Sequence, residues 1–486
     1  METMEAKTGY EAGLKEYVNR EKAAIDLMNS AGRLMFEKGV ELCFFRNPML
    51  DISNSEVLNL FNYSEKVVQK PIDPYMAADV ARALLDLDLA PSKIDIGRLT
   101  YEFKTCSPKP ASLGDFLGTT LRDFLGQDKH TFQPQDVVLY GFGRIGRIAA
   151  RELVKQAGKG QQLRLRAIVT RTASDEEIVK RAALLRNDSV HGHFKGSVIE
   201  DLANKCLVIN GQRVQMIASG NPEEIDYTRY GISDALIIDN TGVFTKRADL
   251  GRHLKAKGVG KVLLTAPGKE IPNIVYGINH KELDIENERL FSAASCTTNA
   301  ICPVLKVMED EVGIVKGHIE TVHAYTNDQN LLDNYHKKPR RGRSAAVNMV
   351  ITSTGAGSAV TKAIPSLKDK LTANAVRVPT PNGSLAIMNL ELGRKVSREE
   401  VNELIRHAAL NGELVNQIHY QIDPELVSSD IIGDTCCSVF DSNATICSPD
   451  GRNVVLYAWY DNEFGYTKQV IRLAKHVTKV RRLIYY

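Results

Sequence analysis

Asp136-Val-Val-Leu-Tyr-Gly-Phe-Gly-Arg-Ile-Gly-Arg-Ile-Ala-Ala-Arg-Glu-Leu153 carries the reading that decides the fold. Its first five residues make a short apolar run of the buried-strand type. Three glycines follow at Gly141, Gly143 and Gly146, and a helical pattern then runs through Leu153. A second apolar run, Leu163 to Val169, completes a βαβ unit. Between strand and helix, the glycines predict a tight turn and a close backbone approach to a pyrophosphate held at the helix N-terminus. The fold class is α/β, with a Rossmann-type dinucleotide-binding domain expected over 134–294. Leu236 to Asp239 and Lys261 to Leu264 read as further strands. Asn240-Thr-Gly-Val-Phe244 is expected to start a helix reaching Lys257.

A second stretch carries the chemistry. In Phe291-Ser-Ala-Ala-Ser-Cys-Thr-Thr-Asn-Ala-Ile-Cys-Pro303, small residues and hydroxyls surround Cys296, and a helical pattern runs from Ile301 to Met308. Cys296 is therefore expected at a helix N-terminus, where unpaired N–H groups favour a thiolate. The hydroxyls of Ser295 and Thr297 could bind a substrate oxygen. A structural cysteine in a turn would look the same. Thr321-Val-His-Ala-Tyr-Thr326, a strand with His323 near its end, shifts the balance towards an activated Cys–His nucleophile.

These two segments resemble the phosphorylating glyceraldehyde-3-phosphate dehydrogenases. The resemblance extends from Val137 to the C-terminal helix through Gly141–Arg147, Asp188-Ser-Val-His-Gly192, Thr241-Gly-Val-Phe244, Ser353-Thr-Gly-Ala356, Arg377-Val-Pro-Thr380 and Trp459–Tyr466. It implies an antiparallel-sheet α+β catalytic domain over 295–462, with a C-terminal helix over 463–486 completing the dinucleotide domain. It implies oxidation of D-glyceraldehyde 3-phosphate to 1,3-bisphosphoglycerate through a thiohemiacetal and thioester on Cys296, with His323 as the base. Thr326, Asp328 and Arg377 match one anion site of the family; Ser295, Thr297, Thr354 and Gly355 match the other. Phe142, Arg144, Ile145, Thr241, Gly242 and Thr265 would line the cofactor cleft, and Asn462 would bond the nicotinamide carboxamide. No metal is implied. The resemblance also implies a homotetramer, with the basic segment Asn330 to Ser344 between subunits.

Two departures concern the cofactor. Where NAD-preferring members carry an acid at the end of the second strand, this chain has Thr170 followed by Arg171. A carboxylate there would repel a 2′-phosphate, so NADP is expected alone or beside NAD. Ser219-Gly-Asn-Pro222 replaces an arginine that many members turn towards the cofactor. Asn389 replaces an aspartate of bacterial members and is expected to stay clear of the chemistry. An erythrose-4-phosphate dehydrogenase, and a non-catalytic RNA- or protein-binding regulator, remain open as alternatives.

Residues 1–130 lie outside the resemblance and read as a helical extension. Asp51–Glu56 and Asp73-Pro74 supply cap signals, and Pro91 stops an Ala/Leu-rich run. Leu113 to Leu125 is amphipathic, and Lys129 to Gln135 reads as a linker. Across all 486 residues the net charge is +3, too small for nucleic acid as the main partner. No apolar run reaches the roughly 20 residues of a membrane span, and the acidic N-terminus lacks a signal-peptide core. Eight cysteines without C-x-x-C spacing suggest free thiols in a reducing, cytoplasmic setting.

Overall fold

The computed structural model describes residues 2–126, 131–155, 157–352 and 354–486, with the backbone alone for residues 2–8. Lys129 and His130 of the expected linker, Gln156 and Ser353 lie outside the described residues. Two compact units divide the chain. One takes Met1–Pro134, Ala157–Gln162 and Val480–Tyr486; the other takes Gln135–Gln156 and Leu163–Lys479.

The first unit has the anticipated helices. Ser53 caps Asn54–Lys66 in a reciprocal capping box with Glu56, and Asp73 caps Pro74–Leu85. The long helix Glu2–Arg33 precedes them. The extension is not helical throughout. It contains a four-stranded sheet ordered Asn47–Pro48, Glu41–Phe44, Ser92–Asp95 and Leu483–Tyr485. Asp95 ends one strand, caps the helix Ile96–Thr105, and accepts the N–H groups of Phe45 and Arg46 at 2.8 and 3.1 Å.

The last strand of that sheet corrects the expected C-terminal helix, which stops at Val477. Residues 483–485 pair in parallel with 92–94, Leu483 opposite Ser92. Arg482, in the segment expected to be helical, has a side chain 3% exposed and pairs with Glu41 at 3.1 Å. It also donates to the Gly160 carbonyl at 3.1 Å.

The second unit holds two eight-stranded sheets. The first is ordered Leu290–Ser292, Val259–Leu264, Ala235–Asp239, Gln135–Tyr140, Leu163–Thr170, Gln212–Ala218, Cys206–Ile209 and Val198–Asp201. The strands from Leu290–Ser292 to Gln212–Ala218 run parallel, and the last two are antiparallel. Parallel strands are covered on both faces, which is why Ala235–Asp239 is buried at every position. The helix expected from Asn240 to Lys257 is shorter, a turn Arg247–Leu250 followed by a 3₁₀ stretch Gly251–Lys255. Gly242 and the residues after it are spent on a loop at the sheet's C-terminal edge.

In the second sheet the path is Val350–Thr352, Leu371–Val378, Ile314–Ala324, Ser384–Leu392, Asn453–Tyr460, Ser438–Asp441 and Ile418–Gln421. It is mostly antiparallel, but Ile314–Ala324 and Leu371–Val378 run parallel, as do Ile418–Gln421 and Ser438–Asp441. The helix Phe464–Val477 returns to the dinucleotide helix Arg144–Val154, where Lys468 pairs with buried Glu152 at 2.6 Å. Burial alone would raise the Glu152 pKa; Lys468 and Lys155 overcome it and hold the carboxyl at about 2.

Candidate active site

Cys296 is the first residue of the helix Cys296–Glu311. Ser295 caps that helix: its Oγ accepts the Thr298 N–H at 3.0 Å and lies 2.6 Å from the Thr298 hydroxyl. Asn299 donates to the Ala293 carbonyl at 2.8 Å, and Tyr466 OH donates to that of Ala294 at 2.9 Å. The turn before the thiol is thus fixed from both sides. Thr297 is buried, its hydroxyl 3.0 Å from Tyr460 OH.

The parallel pairing in the second sheet sets His323 directly opposite Arg377. His323 Nε2 lies 3.7 Å from Cys296 Sγ. On the ring's other side, Nδ1 lies 2.6 Å from the Ala324 carbonyl and 3.0 Å from Arg377 Nη1, which donates to that carbonyl at 2.8 Å. The closer partner, a carbonyl, can only accept, so the ring proton sits on Nδ1 and the Nε2 lone pair faces the thiol. Arg377 Nη1 reaches Thr326 Oγ1 at 3.5 Å.

The electrostatics oppose the thiolate that a helix N-terminus would favour. Burial pushes the Cys296 thiol up, against the pull of Arg377. Burial, and then Arg377, push His323 down to about 4. Each charge would be desolvated, and an imidazolium would also face a guanidinium. Both shifts favour the neutral forms, with the proton on sulfur.

Asp328 and Arg341 are ion-paired, and Asp328 also lies 3.6 Å from His336 Nε2. The Asp328 carboxylate therefore bears on an anion through Arg341. Arg341, in the basic segment expected between subunits, has a side chain only 11% exposed and donates to Thr352 Oγ1 at 3.0 Å. It stands near enough to lower the pKa of His323 and Arg377. Only its burial separates it from the exposed arginines beside it in sequence. Thr354 and Gly355 follow the strand Val350–Thr352, in which Val350 lies opposite Arg377. Thr354 Oγ1 accepts the Ala356 N–H at 3.1 Å, at the start of the helix Ala356–Ala363. Asn389 is exposed on its strand, facing away from these groups.

The dinucleotide turn has the shape its glycines predict. Gly141 has φ +93°, and a Cβ on Gly146 would lie 2.5 Å from the Gly141 carbonyl. A Cβ on Gly143 would meet nothing within 4 Å, and the helix that Gly143 caps has no side-chain cap. Its first N–H groups thus face open space, as a pyrophosphate requires. Phe142 is buried, and Ile145 lies in the first turn of that helix. Arg144 pairs with Glu463 at 2.9 Å, and Glu463 with His191 at 3.1 Å. Asp188 pairs with Arg147 at 3.3 Å. Burial opposes its charge, yet the His191 and Val190 N–H groups and Arg144 hold its carboxyl at about 2. The Asp188–Gly192 motif therefore ties the dinucleotide turn to the segment after Asn462.

Buried Asp239 organises the neighbouring loops. Its Oδ1 accepts the Thr241 N–H and hydroxyl at 2.8 and 2.7 Å, its Oδ2 lies 2.9 Å from His253 Nε2, and its carbonyl accepts the Thr265 hydroxyl at 3.0 Å. Thr170 Oγ1 donates to the Thr172 carbonyl at 2.7 Å, and Arg171 beside it is exposed. In place of the missing cofactor-facing arginine, Asn221 is held by Glu224 and by Arg252. Asn462 accepts from Ser384 Oγ at 3.0 Å, while Ser384 Oγ accepts the Ala324 N–H next to His323 at 3.1 Å. The residues present fit a dinucleotide.

Comparison with known proteins agrees with this geometry. Residues 135–247 match the glyceraldehyde 3-phosphate dehydrogenase NAD binding domain, and 295–462 match the C-terminal domain of the same enzyme. A glyceraldehyde-3-phosphate dehydrogenase-like protein of Pseudomonas aeruginosa is 51% identical over 403 residues, 82% of this chain and 87% of its own. The glyceraldehyde-3-phosphate dehydrogenase of Priestia megaterium is 40% identical over 69% of this chain and 96% of its own. Glyceraldehyde-3-phosphate dehydrogenase 1 of Bacillus subtilis is 40% identical over 71% of this chain and 98% of its own. The Pseudomonas match is longer than the stretch from Gln135 to the C-terminus, so it takes in part of the first unit.

Proposed function

This chain belongs to the glyceraldehyde-3-phosphate dehydrogenase family and is an NAD-dependent oxidoreductase acting on an aldehyde, and from that premise we propose that it converts D-glyceraldehyde 3-phosphate and inorganic phosphate to 1,3-bisphosphoglycerate. The observation that carries this reading is the alignment of Cys296 Sγ, His323 Nε2 at 3.7 Å and Arg377 opposite His323 in register. It supplies a nucleophile, a base and a fixed cation within one cluster.

Cys296 adds to the aldehyde carbon while His323 Nε2 takes the thiol proton and returns it to the new alkoxide. The product is a neutral thiohemiacetal, so no charge has to be buried at rest. His323 then removes the hydroxyl proton as the carbon is oxidised to a thioester. NAD, when bound, supplies the hydride acceptor that no side chain provides. Phosphate attacks the thioester carbon, and His323 returns its proton to the departing sulfur. Arg377, Thr326 and Arg341 would hold one phosphate group; Ser295, Thr297, Thr354 and Gly355 would hold the other. Rates on both sugars, with and without inorganic phosphate, test this reading. Loss of turnover without phosphate and preference for the triose are expected. Faster turnover of erythrose 4-phosphate would assign the other sugar, and no turnover would favour a binding role.

NADP is proposed as a cofactor beside NAD. Thr170 removes the carboxylate that would repel a 2′-phosphate, and Arg171, which forms no ion pair among the described residues, can reach one. Exposed Leu331, Leu332, Tyr335, Val347 and Met349 on the loop around Arg341 support a homotetramer. Eight free cysteines support a cytoplasmic setting.

A further inference from the structure

The main chain around Asn462 is held by its neighbour Asp461, a buried carboxylate. Asp461 accepts the Glu463 and Phe464 N–H groups at 2.9 and 2.8 Å, the Gly433 N–H at 2.8 Å and the Asn382 amide at 2.8 Å. The rotation of the Asn462 amide itself is a separate matter. Its oxygen can only accept and its nitrogen can only donate, so the end that faces a ligand sets what the residue can recognise.

Ser384 bears on that rotation. It opens the strand Ser384–Leu392 opposite Tyr460 and is fully buried. The antiparallel pairing of that strand with Ile314–Ala324 ends at Val322 and Leu385, and beyond it the Ala324 N–H donates to Ser384 Oγ at 3.1 Å. A hydroxyl has one proton, and when buried it needs an acceptor for it. Asn462 Oδ1 lies 3.0 Å away and takes it. Oδ1 is thereby turned inward. Nδ2 is left with no partner among the described residues, and it is not sealed from solvent. An open amide donor fits an acceptor oxygen, and the carboxamide of a nicotinamide carries one. We propose that Ser384 is a positioning residue for the cofactor: its hydroxyl holds Asn462 by Oδ1, so that Asn462 offers Nδ2 as a donor to the carboxamide oxygen. The proposal rests on the reading of Asn462 as the cofactor's partner at its nicotinamide end. The same hydroxyl also holds Ala324, whose carbonyl orients the His323 ring.

Calorimetric titration of the full-length chain with NADH and with ADP-ribose, in the absence of aldehyde and phosphate, tests this. ADP-ribose lacks the nicotinamide, so its affinity reports the rest of the dinucleotide site. Ser384→Ala should weaken NADH about five- to tenfold and leave ADP-ribose unchanged. Asn462→Asp keeps an acceptor for Ser384 but loses the donor, and should weaken NADH at least as much. NADH is the probe because its neutral ring gives the new carboxylate no charge to attract. Adding Ser384→Ala to Asn462→Asp should change nothing more, since no donor remains to be aimed. Wild-type NADH affinity in Asn462→Asp overturns the proposal together with the reading of Asn462. If Asn462→Asp is weakened and Ser384→Ala is not, that reading stands and the role of Ser384 falls. Loss of ADP-ribose affinity in Ser384→Ala, or full additivity of the two changes, would show a structural role and overturns the proposal as well. Because no sugar is present, a different sugar preference leaves each of these outcomes as it is.

Discussion

The catalytic cluster and the first unit are closed by opposite means. In the cluster, one parallel strand pair sets His323 beside Arg377, and one helix start presents Cys296 to them. Each group is placed by the element it sits on, and burial disfavours the charged forms of Cys296 and His323. The first unit is closed from a distance: strands at 41–44 and 92–95 are completed by residues 483–485, and Arg482 is clamped between Glu41 and the Gly160 carbonyl. A site built from local register fails one function at a time when a residue is changed. A sheet closed by the far end of the chain fails as a whole.

The largest effect belongs to the thiol. Cys296→Ser should leave no measurable turnover while cofactor binding and the circular dichroism spectrum stay as in wild type. Wild-type turnover in this variant would remove covalent catalysis at Cys296.

His323→Asn should slow kcat roughly 10²–10⁴-fold, the usual worth of a positioned base. The neutral resting pair has a pH signature. A base with its pKa lowered to about 4 stays unprotonated well below the ordinary imidazole value of 6.5, so its acid limb lies at low pH. The sign for stability is the same: protonation of the unfolded chain comes first, so stability is lost as pH falls from about 6.5 through about 4. With the thiol pKa raised by burial, alkylation of the cofactor-free enzyme by iodoacetamide should climb with pH through the alkaline range. A plateau of fast alkylation at pH 6 would restore the ion pair.

The first unit gives the next effect. Glu41→Ala leaves buried Arg482 without its carboxylate, which should cost about 3 kcal/mol in the unfolding of that unit. Removing residues 1–130 alone should be worse, because it strips the partners from Leu483–Tyr485. A truncation that also ends at Lys479 should be better behaved. Equal thermal stability of the two truncations would mean that residues 480–486, left without their partners, do not burden the remaining unit.

The same contrast explains what could be read from the sequence. The dinucleotide turn, the cysteine at a helix start and the histidine on a strand are local signals, each carried by a few adjacent residues with a stated geometry. The helix caps at Ser53 and Asp73 are local too. The small sheet was invisible because its strands are short and its edge comes from the other end of the chain. The burial of Arg482 and Arg341 was hidden for one reason: charge runs are usually solvated, and only the fold shows which member is buried. The protonation state of Cys296 and His323 was equally hidden, since desolvation is a property of the packed site.

The smallest effect tests the strand end at Thr170. Its hydroxyl is committed to the Thr172 carbonyl, so the position carries no charge towards a ribose or a 2′-phosphate. Arg171 is exposed and can bond a 2′-phosphate by charge-assisted contacts. Thr170→Asp with Arg171→Leu reverses both terms, adding a repulsive carboxylate and removing the guanidinium. Each lost contact of that kind is worth about 1.5–3 kcal/mol, roughly ten- to a hundred-fold in a preference ratio. The ratio of kcat/KM for NADP to that for NAD, at saturating aldehyde and phosphate, should fall by that factor, mainly through NADP. The dinucleotide turn is untouched by either change, so kcat with NAD should hold. If the ratio does not move, the 2′ position is recognised elsewhere, and the Asn221–Arg252 pair, which stands where the family's cofactor-facing arginine is missing, becomes the next place to look.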